Sequence, residues 1–137
     1  MKKRRSSAEA ACPCGLPSPY ATCCGRYVEH WPHVPAPDPE SLMRSRYSAF
    51  VHGRADYLLA TWHPEFRPAD LTLESDAQWL GLEVRSARWL GDAHGEVEFV
   101  ARYRVAGCAV RLHERSRFVR QGGHWLYTEG DVKDRGC

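Results

Sequence analysis

No run of the 137 residues comes near the ~18 consecutive apolar positions that a bilayer-spanning helix needs, which excludes such a span. Charge of one sign is also lacking: 19 Lys and Arg face 17 Asp and Glu, and four of the basic residues are Lys2, Lys3, Arg4 and Arg5. A dedicated nucleic-acid binder carries a basic face, so this balance argues against nucleic acid as a partner. The short tail supports only modest, salt-sensitive affinity. Nor is the basic start followed by the ~7–15 apolar residues of a secretory segment, because residues 6–11 read SSAEAA. The expectation is a cytoplasmic protein with reduced thiols. No glycine-rich phosphate loop, HExxH helix or Ser/His/Asp set is present. The sequence alone therefore assigns no catalytic residue, and the balance is against an enzyme.

What is present suits one globular domain, with 43% hydrophobic and 11% aromatic residues. Residues 1–11 read as a disordered basic tail. Residues 12–27, CPCGLPSPYATCCGRY, have turn-forming residues and no apolar period, as expected of a knuckle. Residues 28–39 are proline-rich and read as an extended connector. Residues 40–132 form the main domain, and 133–137 a tail. Asp38-Pro39-Glu40 is a helix start, and Leu42, Met43, Tyr47, Phe50 and Val51 continue as a stripe that Gly53 ends. A second short helix fits 54–63, stopped by Pro64. Period-two alternation then marks strands near 79–90, 95–106, 108–120 and 124–128, with turns at Gly107 and Gly122-Gly123. Helices followed by a meander indicate an α+β fold, with helices against one face of a curved antiparallel sheet.

The strongest chemical signal is Cys12-x-Cys14, eight residues, then Cys23-Cys24. Four thiolates suit zinc, which takes tetrahedral sulfur at about 2.3 Å and, with four protein ligands, keeps no site for water. Disulfides between near neighbours would be strained, leaving cross-pairs as the alternative. His30 and His33 could lend a stray ligand but read as exposed.

These residues resemble the SEC-C motif, the zinc knuckle at the end of the SecA preprotein translocase ATPase. Cys12, Cys14, Cys23 and Cys24 match its ligands, followed by Gly25 and Arg26, while Leu16-Pro17 replace its usual Ser-Gly. PDPESLMRSRYSAFVHGRADYLLATWHP (37–64), WLGLEV (79–84), HERSRF (113–118) and GHWLYTEGD (123–131) resemble the bacterial YchJ family. The resemblance implies bound zinc and a cone-shaped nuclear-transport-factor-2-like domain; it implies no particular activity. Many relatives carry a second knuckle near the C-terminus, which has no counterpart up to Cys137.

Strand parity puts Glu114 on the core face of the third strand with Val110, Leu112 and Phe118. A buried carboxylate needs a partner, and Arg44, Arg46 or His63 are the candidates, either as a clamp of helix to sheet or at the mouth of a cone pocket. His113 reads as outward-facing and Cys108 as a core residue. Two functions follow. In the first, the zinc knuckle docks a protein partner and the cone is its scaffold. In the alternative, the cone pocket near Glu114 serves a small enzyme or small-ligand carrier. Domains of this shape often pair through the open sheet face, so a homodimer is a further expectation.

Overall fold

Asp38 starts the first long helix as its cap: the carboxylate accepts from the Ser41 amide at 2.7 Å and Pro39 occupies the first turn. The computed structural model describes residues 11–73 and 76–136. A 3-10 turn (Tyr20–Thr22) and α1 (Gly25–Val28) precede this helix, α2 (Pro39–Val51), which is followed by α3 (Ala55–Ala60). Four antiparallel strands complete the chain: β1 (Gln78–Trp89), β2 (His94–Val105), β3 (Cys108–Gln121) and β4 (His124–Gly136), in the order β1-β2-β3-β4. Ala106-Gly107 and Gly122-Gly123 have positive φ at both positions, the backbone that two-residue hairpin turns require. The α+β architecture is as expected, with helices packed on one face of the sheet.

The core lies between α2, α3 and the inner sheet face, around Leu42, Tyr57, Leu58, Val97, Phe118 and Trp125. Pro39 sits so close to β2 that a methyl group at Gly95 would run into its ring, which explains a residue with no side chain in mid-strand.

Four sequence expectations differ. Residues 29–34 are not extended but form successive turns, with Trp31 packed edge-on against Tyr57 and His124. The period-two alternation of the first strand, which would carry Leu80 on the core face with Leu82 and Val84, breaks at its start: a register shift between Trp79 and Gly81 makes Leu80 the extra residue of a β-bulge and leaves it exposed. The strand read to Thr128 continues through residues 133–136, so these are not a tail but the end of β4. Its later residues lack apolar alternation because they line a sheet edge, where the backbone of β3 supplies the pairing. Cys108 is half-buried at the start of β3, not a core residue. The expectations for the basic tail and Cys137 lie outside the described residues, except that Ala11 bridges Pro19.

The outer sheet face carries a ladder of ion pairs and hydrogen bonds. Glu98 receives His113 at 2.7 Å and Arg115 at 3.2 Å, Arg117 reaches Asp131 and Glu129, and Arg88 meets Glu96.

Candidate metal centre and cone cavity

The cysteine segment closes through local backbone bonds. The Cys12 amide donates to Ser18 O at 2.9 Å, Gly15 turns the chain with φ of 98°, and the 3-10 turn and α1 bring Cys23 and Cys24 back beneath Cys12 and Cys14. Gly25 is required here, since a Cβ would lie 2.7 Å from the Tyr20 carbonyl oxygen. The four sulfurs lie within 4.8 Å of one another, all on buried residues, and all four cysteines are free thiols. Cys14 and Cys23 are 3.7 Å apart, against an edge of about 3.8 Å for a tetrahedron with 2.3 Å zinc–sulfur bonds. These four cysteines could hold a metal ion.

Their electrostatics point the same way. Hydrogen bonds from Cys14 and Cys24 hold Cys12 far below the ordinary thiol range. The reciprocal bonds to Cys12 and Cys14 push Cys24 far up, and burial first, then the Cys14 and Cys12 charges, push Cys23 up to about 12. One thiolate is sheltered by protonated neighbours; a cation is needed for the cluster to ionise fully.

The knuckle is built onto the domain. Ser48 Oγ is 3.4 Å from Cys12 Sγ, and Arg44 donates from Nη1 to Cys14 O at 2.7 Å while its Nε pairs with Glu40 at 2.9 Å. Leu82 of β1 packs on the sulfurs. Tyr27 and Val28 of α1 belong to the main core. His30 and His33 are exposed and take no part in the cluster.

On the other side of α2, a cavity of about 310 Å³ opens over the inner sheet face, walled by aromatic rings that include Tyr47, Phe50, Trp62, Trp79, Tyr103 and Tyr127. Arg46 and Glu114 both line it; Arg44 and His63 do not. The expected clamp is absent among the described residues: no ion pair joins Glu114 to Arg44, Arg46 or His63. Arg44 faces the knuckle. The His63 ring accepts from the Glu65 amide at 3.1 Å and stacks edge-on against Phe66.

Arg46 is only 6% exposed. Its Nη1 donates to Leu58 O at 2.7 Å and Thr61 Oγ1 at 2.8 Å, and the guanidinium lies over the rings of Trp62 and Tyr127 at 5.2 and 4.8 Å. Burial lowers its pKa to about 10. Glu114 Oε2 accepts from Ser116 Oγ at 2.7 Å and Tyr127 OH at 3.4 Å. The carboxylate folds over Gly130 of β4, where a Cβ would collide with it. Tyr127 thus joins the two charged groups, its ring beneath the guanidinium and its hydroxyl on the carboxylate. Burial first, then the Glu114 charge, keeps that phenol protonated well above its ordinary range. Sequence reasoning missed Tyr127, Trp62 and Thr61. Two signals were available: strand parity puts Tyr127 on the same face as Trp125, and helical spacing puts Thr61 and Trp62 on one side of the second helix with Tyr57 and Leu58.

Comparison with known proteins agrees with this architecture. Residues 38–130 match the family model described as YchJ, middle NTF2-like domain. A UPF0225 protein of Polaromonas sp. (strain JS666) is 56% identical over 131 residues, covering 90% of this chain and 94% of the relative. Another from Bordetella bronchiseptica is 54% identical over 134 residues, covering 97% and 100%. Among solved structures, a SEC-C motif containing protein from Rhodopseudomonas palustris is similar with a TM-score of 0.77 at 34% identity, covering 90% of this chain and 99% of that one. One from Psychrobacter arcticus gives 0.75 at 26% identity, covering 93% and 85%. With its knuckle of four cysteines and its nuclear-transport-factor-2-like middle domain, the chain belongs to the YchJ (UPF0225) family.

Proposed function

We propose that this protein binds a small molecule in its cone cavity, and that a structural zinc in the knuckle fixes the helix forming one wall. The observation that carries this reading is Arg46. A buried guanidinium is costly without a carboxylate partner, and here it forms no ion pair with any described carboxylate while lining a cavity with an acid in it. Polar groups kept at such a cost inside an otherwise apolar cavity are the pattern of ligand sites. Zinc is the metal the four-thiolate set suits, and with all four positions taken by protein its role is structural.

Indole, a flat apolar probe, tests the reading by NMR. The Trp62 and Trp79 side-chain signals should shift on titration, while that of Trp125, outside the cavity, stays put. Unmoved Trp62 and Trp79 with both indole and quinolin-2-one at millimolar concentration would overturn it.

A docking function for the knuckle keeps one specific support. Leu16 is 39% exposed, on a loop closed by the backbone bonds from the Cys12 amide to Ser18 O and from the Gly15 amide to Cys12 O. A protein partner would meet that side chain, and Leu16→Asp should abolish its capture without loss of metal.

A further inference from the structure

We infer that the cone cavity selects a planar aromatic molecule bearing a hydrogen-bond donor and acceptor side by side, as in a lactam or cyclic amide. This rests on the ligand-binding reading above and adds the chemical class.

The argument starts from unused hydrogen-bonding capacity. Both hydrogens of Arg46 Nη1 are committed, to Leu58 O and Thr61 Oγ1, whereas Nε and Nη2 bond no described acceptor. Glu114 Oε2 takes two hydroxyls and Oε1 takes none from the described residues. Every fully buried side-chain nitrogen and oxygen described has a partner, so these open atoms are the accessible ones, and both residues line the cavity. The cavity therefore offers donors from one residue and an acceptor from the other. They do not pair with each other among the described residues, and Tyr127 touches both, its ring under the guanidinium and its hydroxyl on the carboxylate.

Charge narrows the class. Arg46 and Glu114 cancel, and Arg135, the other lining cation, is exposed at the rim, where it donates to Tyr103 OH at 3.1 Å. A cationic head would be opposed by Arg46 and a phosphate by Glu114. A neutral head that accepts from the guanidinium and donates to the carboxylate suits both. The walls determine the rest: Trp62, Trp79 and Tyr103 are among the rings that line the cavity and suit a flat aromatic body, and about 310 Å³ accommodates two fused rings.

Quinolin-2-one, a fused bicycle with an N–H beside its C=O, is the probe, and its N-methyl derivative is the control that keeps the body and loses the donor. Binding to the zinc-loaded full chain is followed by NMR titration and calorimetry. Quinolin-2-one should shift the Trp62 and Trp79 signals. The N-methyl compound should bind at least tenfold more weakly, since it leaves the Glu114 oxygen unpaired. Glu114→Gln, which retains the shape, should weaken the lactam about fivefold with its melting temperature unchanged. Equal affinity for the two quinolinones overturns the donor–acceptor inference, as does binding of indole without binding of the lactam; the ligand-binding reading survives both. Failure of indole and quinolin-2-one alike overturns the two together.

Discussion

The Ser48 hydroxyl lies 3.4 Å from the Cys12 sulfur, on the same helix that turns Arg46 into the cavity two residues earlier. One helix therefore serves both centres, with Arg44 and Ser48 on the knuckle and Met43, Arg46, Tyr47 and Phe50 on the cone. Hydrogen bonds to metal-bound sulfur tune affinity from outside the ligand set. We expect Ser48→Ala to lower zinc affinity about tenfold while retaining one zinc per chain at saturation. Competition with a chromophoric chelator measures this, and unchanged affinity would exclude the contact as a tuning element.

Loss of the metal should be felt beyond residues 12–27. Tyr27 and Val28 sit in the main core, and Arg44 ties Cys14 to α2. Chelation is expected to lower the melting temperature and to raise hydrogen exchange in α2 as well as in the knuckle, while the sheet amides of β2 and β3 stay protected. Exchange confined to the knuckle would show the two parts to be energetically separate.

Metal uptake should release protons. Cys23 and Cys24 are raised and hold theirs in the metal-free cluster, so binding zinc near pH 7 should expel at least two protons per ion. Affinity then falls as pH falls. Calorimetry in buffers of different ionisation enthalpy counts the protons, and fewer than two would contradict the pairing pattern. The metal-free form has an opposite limit. A thiol raised in the folded state from 9.0 to about 12 contributes stability that is complete below pH ~9 and is lost as pH climbs towards 12. Its melting temperature should drop across that window.

Glu114 should matter little to folding. A clamp with arginine would make Glu114→Ala cost about 3–5 kcal/mol, but Oε2 meets only Ser116 and Tyr127 hydroxyls beside an open cavity. We expect about 1 kcal/mol or less from thermal or urea unfolding. A loss of several kcal/mol would restore the clamp.

Gly130→Ala should do what removing the acid does not. The new methyl group collides with the Glu114 carboxylate and would lie 3.1 Å from the Arg115 carbonyl oxygen. A cost of about 1–3 kcal/mol is expected, together with loss of lactam binding, because the carboxylate must leave its niche. Unchanged unfolding and binding would mean that the side chain has other room.

Much of this was legible where a local rule acts alone. The Asp38 cap, the Gly53 stop and the period-two run from Val97 to Val105 behave as their residue types require. The cysteine spacing likewise pointed to a cluster, because two short turns suffice to bring the four sulfurs together. What escaped depends on neighbours far away in the chain. Ser45 and Ser48 look like the polar face of α2, yet both are fully buried: Ser48 beneath the knuckle, Ser45 against the Tyr57 hydroxyl at 2.7 Å. Arg46 could be named as a candidate partner of Glu114, but not as a cation held by Thr61 and a carbonyl over two rings. Those groups come from α3 with the two residues that follow it and from β4, which only packing brings together. The bulge at Leu80 has no period to announce it, since it consists in breaking one.

The simple meander makes β1 and β4 the edge strands, with β4 bridged on its outer side at Tyr127 by Trp62, and the rest of such an edge in an open sheet invites a neighbouring molecule to add a strand. Both edges are made poor templates. β1 is interrupted by shifts at Trp79/Gly81 and Val84/Ser86, and β4 by irregularities opposite Glu114 and Ser116, followed by the charged run Asp131, Lys133, Asp134, Arg135. Kinked backbone and alternating charge both raise the cost of in-register stacking. A protein with a cavity on one face of a four-stranded sheet thereby protects the borders of that sheet from self-association while the helices have yet to cover its apolar side.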